Sequence, residues 1–196
     1  HAIDRYLKFA QYLGCPGDEV VYPFAPYDPD PPVCRDLPGT FAVMSPSAGK
    51  PANRWPARRF GEVAASLPLP VVVIASKAEA DIAEEVVAHS RGNARSIAGM
   101  TSLKELLAVI GKAKFFVCND TGPMHIAAAL NVPVFAIFGP ANPVRTGPYG
   151  AIHTVIKKEF PCGPCYAKHP CTSHNFQCMQ TLELQEVLRI IREKAL

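Results

Sequence analysis

The chain has 196 residues, which is enough for one domain of ordinary size and a short additional segment. Hydrophobic residues make up 48% and charged residues 19%, the usual balance of a globular protein, and a net charge of +3 is too small to indicate a nucleic-acid partner. No apolar run approaches the length that spans a bilayer, and no signal peptide is visible. Because the sequence starts at His1 rather than Met, we expect a piece of a longer protein.

The first 40 residues are predicted to be a helix followed by a linker. Residues 2–13 have the apolar spacing of an amphipathic helix that ends at Gly14. Residues 16–38 are rich in Pro and Asp, and Pro is excluded from most helix and central strand positions. We therefore expect an extended interdomain linker between this helix and the domain that follows.

From residue 41 onward, short apolar strands alternate with amphipathic helices. The predicted strands are Phe41–Met44, Val71–Ala75, a short one near Ser96-Ile97, Phe115–Cys118, Val134–Phe138 and His153–Ile156. The predicted helices are Pro56–Leu67, Ala78–Ser90, Ser102–Ile110, one from Pro123 to Asn131, and Leu184–Lys194. This alternation predicts an α/β fold with a doubly wound, Rossmann-like parallel sheet, over 41–181 with a C-terminal helix in 182–196.

The most informative stretch is 115–140, which is predicted as strand, tight turn, helix and strand. Thr121 or Gly122 can be the N-cap of this helix, with Pro123 at its first position. The unpaired N–H groups of a helix start attract anions, and ligands of open α/β sheets bind at this edge of the sheet. His125, in the first turn, is close enough to donate to a phosphate oxygen. The alternative is that Asp120 and Thr121 only cap the helix.

The same stretch resembles a known family. The run Asp-Thr-Gly-Pro-Met-His-Ile-Ala-Ala-Ala from Asp120, followed by Pro-Val-Phe-Ala-Ile-Phe-Gly-Pro, is similar to the signature of family nine glycosyltransferases, the ADP-heptose:lipopolysaccharide heptosyltransferases. The resemblance implies that this turn holds the donor pyrophosphate, with these donor-binding residues: Asp120, Thr121, Gly122, Pro123, Met124 and His125. It also implies the C-terminal, donor-binding half of an inverting GT-B enzyme, with the catalytic base in a missing N-terminal domain.

A second turn, 45–56, follows the first predicted strand. Its small residues, including Ser47, let backbone N–H groups approach a phosphate, and Lys50 or Arg54 can supply charge. The family has a similar turn, usually with a Lys where this chain has Asn53, so a different cation is expected to neutralise the donor. We interpret Trp55 as a residue that fixes the helix start rather than a ligand.

Two further positions are candidate nucleotide contacts. Glu79 follows the second strand, where a carboxylate can accept from ribose hydroxyls, as a similar Glu does in the family. A solvated first-turn Glu is the alternative. The pair Thr101-Ser102 is predicted to cap the next helix and to lie beside the adenosine. Where the family often has Thr after Gly139-Pro140, this chain has Ala141.

Four of the seven cysteines lie in a Cys-rich loop, 161–179. Cys162, Cys165, Cys171 and Cys178 have the spacing C-x2-C-x5-C-x6-C. Four sulfurs in a short loop can bind a structural zinc, but unliganded thiols and disulfides are alternatives, because this spacing only loosely fits a zinc ribbon. We expect no cofactor to be required for catalysis.

The leading hypothesis is therefore a donor-binding fragment that binds ADP-heptose and is inactive alone. Its acceptor is expected to be the lipopolysaccharide inner core, bound through the missing domain, in the cytoplasm with at most peripheral contact to the inner membrane. Another nucleotide-sugar glycosyltransferase and a zinc-binding interaction module are the alternatives. A dinucleotide-binding oxidoreductase would need a G-x-G-x-x-G turn, which 45–50 does not supply.

Overall fold

A computed structural model describes residues 1–16, 20–166, 171 and 176–196. Its strands are β1 (Ala42–Ser45), β2 (Val71–Val73), β3 (Ala94–Ser96), β4 (Phe115–Asn119), β5 (Val134–Phe138) and β6 (Thr154–Lys157). Its α-helices are α1 (Ala2–Tyr12), α2 (Ala57–Ala65), α3 (Ala80–His89), α4 (Leu103–Gly111), α5 (Gly122–Ala129), α6 (Pro143–Thr146), α7 (Gln177–Gln180) and α8 (Leu184–Ala195).

The strands form one parallel sheet in the order β3-β2-β1-β4-β5-β6. The chain moves outward from β1 to β3, then returns to place β4 against the other side of β1, with Ala42 paired to Phe115. This order confirms the doubly wound parallel sheet predicted from the sequence. It also places the reversal of strand order between β1 and β4, where open α/β sheets leave a crevice for a ligand.

Alternate residues of each central strand face two separate cores. On one face, α2, α3 and α8 cover residues such as Met44, Val73 and Val117. On the other, α4 and α5 cover residues such as Val43, Val72 and Phe116. Both faces of the sheet are buried, which is why the strands are continuous apolar runs without alternation.

The ends of the predicted elements agree with the structure to within about two residues, with one informative difference at α5. Gly122, not Pro123, is the first residue of this helix, and the side chain of the N-cap residue Thr121 makes no capping hydrogen bond. The last helical residue is Ala129, and Asn131 has the left-handed φ of 57°. Thr121 is therefore the N-cap residue, as the sequence allowed, but its side chain takes no part in capping.

Part of the N-terminal segment that was predicted to be a linker packs against the domain. Within 16–38, Cys34 is buried and Tyr27, Val33 and Leu37 pack against the second core. By contrast, α1 has no buried residue, and Tyr6 on its apolar face is 76% exposed. Among the described residues, no helix is both long and apolar enough to cross a membrane.

Candidate functional site

The site lies at the carboxyl ends of β1 and β4, where the loop 46–56 meets the start of α5. Asn119, the last residue of β4, is fully buried and joins the two. Its Nδ2 donates to the carbonyl oxygen of Pro46 over 2.6 Å, and its Oδ1 accepts from the backbone N–H of Trp55 over 3.0 Å. One amide side chain thus fixes both ends of the loop against the adjacent strand.

Trp55 is the anchor at the far end of this loop. It is 1% exposed, packs edge-on against Phe60, and donates from Nε1 to the carbonyl oxygen of Leu182 over 3.1 Å. A ring so deeply buried cannot contact a ligand. Its role is structural, in line with the interpretation from the sequence.

The loop and the start of α5 line a cavity of about 430 Å³, which we call the phosphate cavity after the ligand that the sequence leads us to expect there. Its lining includes the N-terminal turn of α5 and side chains that carry most of the local charge. The residues are Gly49, Lys50, Asn53, Asp120, Thr121, Gly122, His125, Ala141, Arg145, Thr146 and Tyr166. Free N–H groups at a helix start, together with Lys and Arg side chains, form an environment for a polyanion.

Asn53 and Asp120 meet across the phosphate cavity. The Asn53 amide donates to Asp120 Oδ2 over 3.1 Å. Asp120 is half-buried, and this burial raises the pKa of its carboxyl, which Lys50 partly opposes. The position where the family usually has a Lys is therefore occupied by an uncharged partner of this carboxylate.

His125 lies in the first turn of α5, with its ring against the wall of the phosphate cavity. Partial desolvation lowers the pKa of the ring, so the free site holds it neutral at pH 7. A neutral imidazole is not repelled by the partial positive charge of the helix start, whereas an imidazolium would be. An arriving anion would raise the pKa of the ring again and draw a proton onto it.

Lys50 and Arg145 are linked through Tyr166 of the Cys-rich loop. Lys50 Nζ donates to the carbonyl oxygen of Tyr166 over 3.0 Å, and the Arg145 guanidinium lies 6.0 Å from the centre of the Tyr166 ring. The backbone N–H of Tyr166 in turn donates to the carbonyl oxygen of Pro140 over 2.8 Å. The Cys-rich loop therefore supplies one wall of the phosphate cavity.

A second cavity of about 330 Å³, the nucleoside cavity, adjoins the first at Thr121. Its lining mixes apolar side chains with hydroxyls and one carboxylate: Ser45, Ser47, Ile74, Ala75, Ser76, Glu79, Thr101, Ser102, Leu103, Leu106, Thr121 and Pro123. Leu103 and Leu106 offer the apolar surface that a flat base needs, and Glu79 an acceptor for hydroxyls. The two cavities together have the chemistry of a nucleoside diphosphate site.

The Arg54 side chain points to Glu79 and the Ala48 carbonyl group and does not line the phosphate cavity. Its Nη2 forms an ion pair with Glu79 Oε1 at 3.0 Å, and its Nε donates to the carbonyl oxygen of Ala48 over 2.8 Å. Glu79 also accepts from the hydroxyl of Ser76 over 2.8 Å. Arg54 thus orients the loop and Glu79, and is not among the residues that line either cavity.

The other predicted donor-binding residues divide clearly. Lys50, Asp120, Gly122 and His125 line the phosphate cavity, Ser47, Glu79, Thr101 and Pro123 line the nucleoside cavity, and Thr121 lines both. Met124 is fully buried in the second core, so its side chain packs α5 onto the sheet.

The cysteines of the predicted zinc site are all free thiols in the structure. Burial raises the pKa of the Cys178 thiol, and the nearby charges of Cys165, Cys171 and Cys162 raise it further. In the part of the chain that is described, no group of three or more His, Cys, Asp or Glu is arranged to hold a metal ion. His169 and His174, near the cluster in sequence, lie outside the described residues. The zinc site stays a prediction.

Sequence reasoning missed three residues of the site. The signal for Asn119 was its position: it is a polar residue at the end of an apolar strand, and a buried polar side chain needs hydrogen-bond partners. Arg145 and Tyr166 carried no local signal, because the fold brings them from two loops to the same cavity.

Comparison with known proteins agrees with this geometry. The model of glycosyltransferase family 9 (heptosyltransferase) matches residues 1–175. The chain belongs to glycosyltransferase family 9. The match thus covers the first helix as well as the residues that line the two cavities.

Individual relatives give the same result. The chain is 34% identical over 187 residues to lipopolysaccharide heptosyltransferase 1 of Pseudomonas aeruginosa, covering 88% of this chain and 49% of that protein. It is 30% identical over 164 residues to the lipopolysaccharide core heptosyltransferase OpsX of Haemophilus influenzae, covering 80% and 47%. The solved structure of Escherichia coli ADP-heptose LPS heptosyltransferase II matches with a TM-score of 0.60 and 25% identity, covering 97% of this chain and 52% of that one. The chain therefore spans about half the length of these family 9 relatives.

Proposed function

We propose that this chain is the donor-binding, C-terminal half of a GT-B heptosyltransferase that binds ADP-heptose. The observation that carries the proposal is the junction of the two cavities at Thr121. A nucleoside in the first cavity would direct its diphosphate to the start of α5, where Lys50 and His125 lie. The relatives named as heptosyltransferases, one of them with ADP-heptose in its name, support this choice among nucleotide sugars.

Calorimetric titration with ADP, UDP and GDP tests the donor class. We expect ADP to bind at least about tenfold more tightly than the other two, because only the base distinguishes them. Equal affinities would leave a diphosphate site and remove the adenine-specific claim, which would favour another nucleotide-sugar glycosyltransferase.

We further propose that the acceptor is the lipopolysaccharide inner core and that the catalytic base is supplied from outside this chain. An inverting transfer needs a carboxylate to take the proton of the acceptor hydroxyl. The two carboxylates of the site are already engaged, Asp120 by Asn53 and Glu79 by Arg54 and Ser76. We place the reaction in the cytoplasm, at the surface of the inner membrane.

Incubation of the chain with ADP-heptose and a lipid A–Kdo acceptor tests this assignment. We expect ADP release at the background rate although the donor binds. Turnover above background, abolished by Asp120→Asn or Glu79→Gln, would place the base in this half and overturn the proposal.

A further inference from the structure

A third cavity, of about 500 Å³, lies between α1 and α6 and has no part in the donor site as described above. Two arginines, two aromatic residues and one alanine line it: Ala2, Arg5, Tyr6, Phe9 and Arg145. Arg145 also lines the phosphate cavity, so the two cavities share one side chain. Whatever occupies the third cavity therefore lies beside the diphosphate end of the donor.

The charge of this cavity is positive and uncompensated. Arg5 and Arg145 line it without any carboxylate, and within the described ranges neither arginine has an ion-pair partner. Other arginines of the chain are paired, as Arg54 is with Glu79. Two guanidinium groups facing one space repel each other and favour a carboxylate or phosphate between them.

The wall that α1 contributes also carries two aromatic rings. Tyr6 and Phe9 are one turn apart on α1, so they share a face, and they are 76% and 61% exposed. A simple ion would gain nothing from these rings. A pyranose has an apolar C–H face that stacks on aromatic rings, so the lining suits a ligand that is both saccharide and anion.

The cavity is held open by contacts that fix α1 on the segment after α6. His1 Nδ1 accepts from the N–H of Ile3, so Nε2 carries the proton and donates to the carbonyl oxygen of Gly147 over 3.1 Å. The hydroxyl of Tyr149 donates to Asp4 Oδ1 over 2.6 Å, which engages the only acidic side chain of α1 away from the cavity. The wall that carries Arg5, Tyr6 and Phe9 is thus positioned before any ligand arrives.

We propose that this third cavity binds an anionic saccharide, a sugar that carries a carboxylate or a phosphate, and that Arg145 contacts both this sugar and the donor. The proposal rests on the proposed function, since it makes the cavity a subsite for the acceptor. It assigns part of acceptor recognition to this half of the enzyme, which the sequence had attributed to the missing domain.

An NMR titration that follows the side-chain Nε–H signals of Arg5 and Arg145 tests the proposal. The acidic probes are 3-deoxy-D-manno-octulosonic acid and glucose 6-phosphate, and the matched controls are the methyl ester, glucose and inorganic phosphate. We expect both arginine signals to shift saturably with at least one acidic sugar, and the controls to bind at least about tenfold more weakly. Equal binding of the neutral sugars, or of inorganic phosphate, would overturn the saccharide site.

Variants then separate the two cavities. Arg5→Gln and Arg145→Gln should each weaken the acidic sugar about tenfold, the effect of losing one charge-assisted hydrogen bond. Arg145→Gln should also weaken ADP, whereas Arg5→Gln should not, because Arg5 lines only the third cavity. The matched control is Arg58→Gln, which removes an exposed arginine of α2 and should change neither affinity.

The outcomes distinguish this inference from the proposed function. Sugar binding without ADP binding would keep the third site and remove the donor assignment. ADP binding with a sugar affinity unaffected by Arg5→Gln and Arg145→Gln, in variants with the wild-type circular dichroism spectrum, would overturn the third site alone.

Discussion

The Asn53 amide donates to Asp120 Oδ2 over 3.1 Å, so an uncharged donor joins loop 46–56 to the carboxylate before α5. The resemblance described in the sequence analysis led us to expect a Lys at the position of Asn53. Lys50 is the cation of this loop that lines the phosphate cavity, and its Nζ donates to the carbonyl oxygen of Tyr166.

The first prediction is that Asn53→Lys tightens ADP binding. A second ammonium group in the cavity should raise affinity about two- to tenfold at low salt, because charge-assisted contacts replace a neutral one. Calorimetry at two salt concentrations measures this, since the gain should shrink as salt screens the new charge. Gln185→Lys adds the same charge on the exposed face of α8 and should leave the affinity unchanged. A comparable gain from both variants would assign the effect to net charge.

The second prediction concerns Asp120 and stability. Burial raises the pKa of this carboxyl above its usual 3.8, so the folded chain keeps the proton to higher pH than the unfolded chain does. The stability that protonation of Asp120 contributes is therefore fully present below pH 3.8 and is lost as the pH rises through the folded-state pKa. Asp120→Asn should melt at a higher temperature than wild type at pH 7, and the gap should narrow as pH falls toward 3.8.

Thermal melts from pH 7 to pH 4 measure this gap. Asp36→Asn, at an exposed position, is the matched control and should show no such pH-dependent gain. A gap of the same size at every pH would mean that Asp120 affects packing and not charge.

The third prediction is that ADP binding takes up a proton at His125. The pKa of the free ring is lowered by desolvation, and a bound phosphate raises it again. ADP affinity should therefore fall as pH rises from the free-state pKa through the bound-state pKa. His125→Gln should remove this pH dependence, and His125→Ala should weaken ADP at least about tenfold at neutral pH while leaving the melting temperature nearly unchanged.

Calorimetry in buffers of different ionisation enthalpy counts the protons directly. An uptake that persists in His125→Gln would assign the proton to another group. A large loss of melting temperature with unchanged affinity would make His125 a structural residue.

The fourth prediction concerns Asn119. Asn119→Ala leaves the Pro46 carbonyl and the Trp55 N–H without partners in a buried place, at a cost of about 1–3 kcal/mol each. We expect a loss of about 2–6 kcal/mol in the free energy of unfolding by urea, and weaker ADP binding because loop 46–56 is no longer fixed.

Asn93 provides the matched control. Its amide bonds the carbonyl oxygens of Ala64, Leu67 and Leu69, at the opposite end of the sheet. Asn93→Ala should lower stability by a similar amount without changing ADP affinity in the protein that remains folded. Equal loss of ADP affinity in both variants would show that the Asn119 effect is global.

The fifth prediction is that protein purified under reducing conditions carries about one zinc per chain at Cys162, Cys165, Cys171 and Cys178. Elemental analysis measures the metal, and chelation should loosen the loop. Cys15→Ser, outside the cluster, should keep the metal, whereas Cys178→Ser should lose it. Substoichiometric metal in the wild-type protein would leave these residues as thiols.

The strands, the helices and the parallel sheet could be predicted from the sequence because the patterns that indicate them lie within short, contiguous segments. Apolar runs such as Phe115–Cys118 have the length and composition of buried strands, and the predicted cap at Thr101-Ser102 is confirmed by Ser102, which the structure shows in a capping box with Glu105. The turn at 120–125 was predicted for the same reason, as a contiguous segment between a strand and a helix, and its role in donor binding stays a prediction.

The side-chain partners within the site could not be predicted in that way. Arg54 and Lys50 are four residues apart in one loop and equally suited to a phosphate, but only the fold shows that Glu79 engages Arg54. The third cavity could be predicted even less, since the two arginines that line it, Arg5 and Arg145, are 140 residues apart in the sequence. The pairing of such residues depends on topology, which residue spacing does not encode.

The position of β4 beside β1 has a consequence for the order in which the protein becomes functional. The segments α2, β2, α3, β3 and α4 all lie between these paired strands in the chain, so the pairing closes a long loop and belongs to the slow, entropically costly part of folding. During synthesis, a nascent chain that ends before β4 has the loop after β1 but lacks the start of α5, so neither of the two cavities at this sheet edge is complete. Under the proposed function, we therefore expect ADP to bind only chains in which β4 has paired with β1.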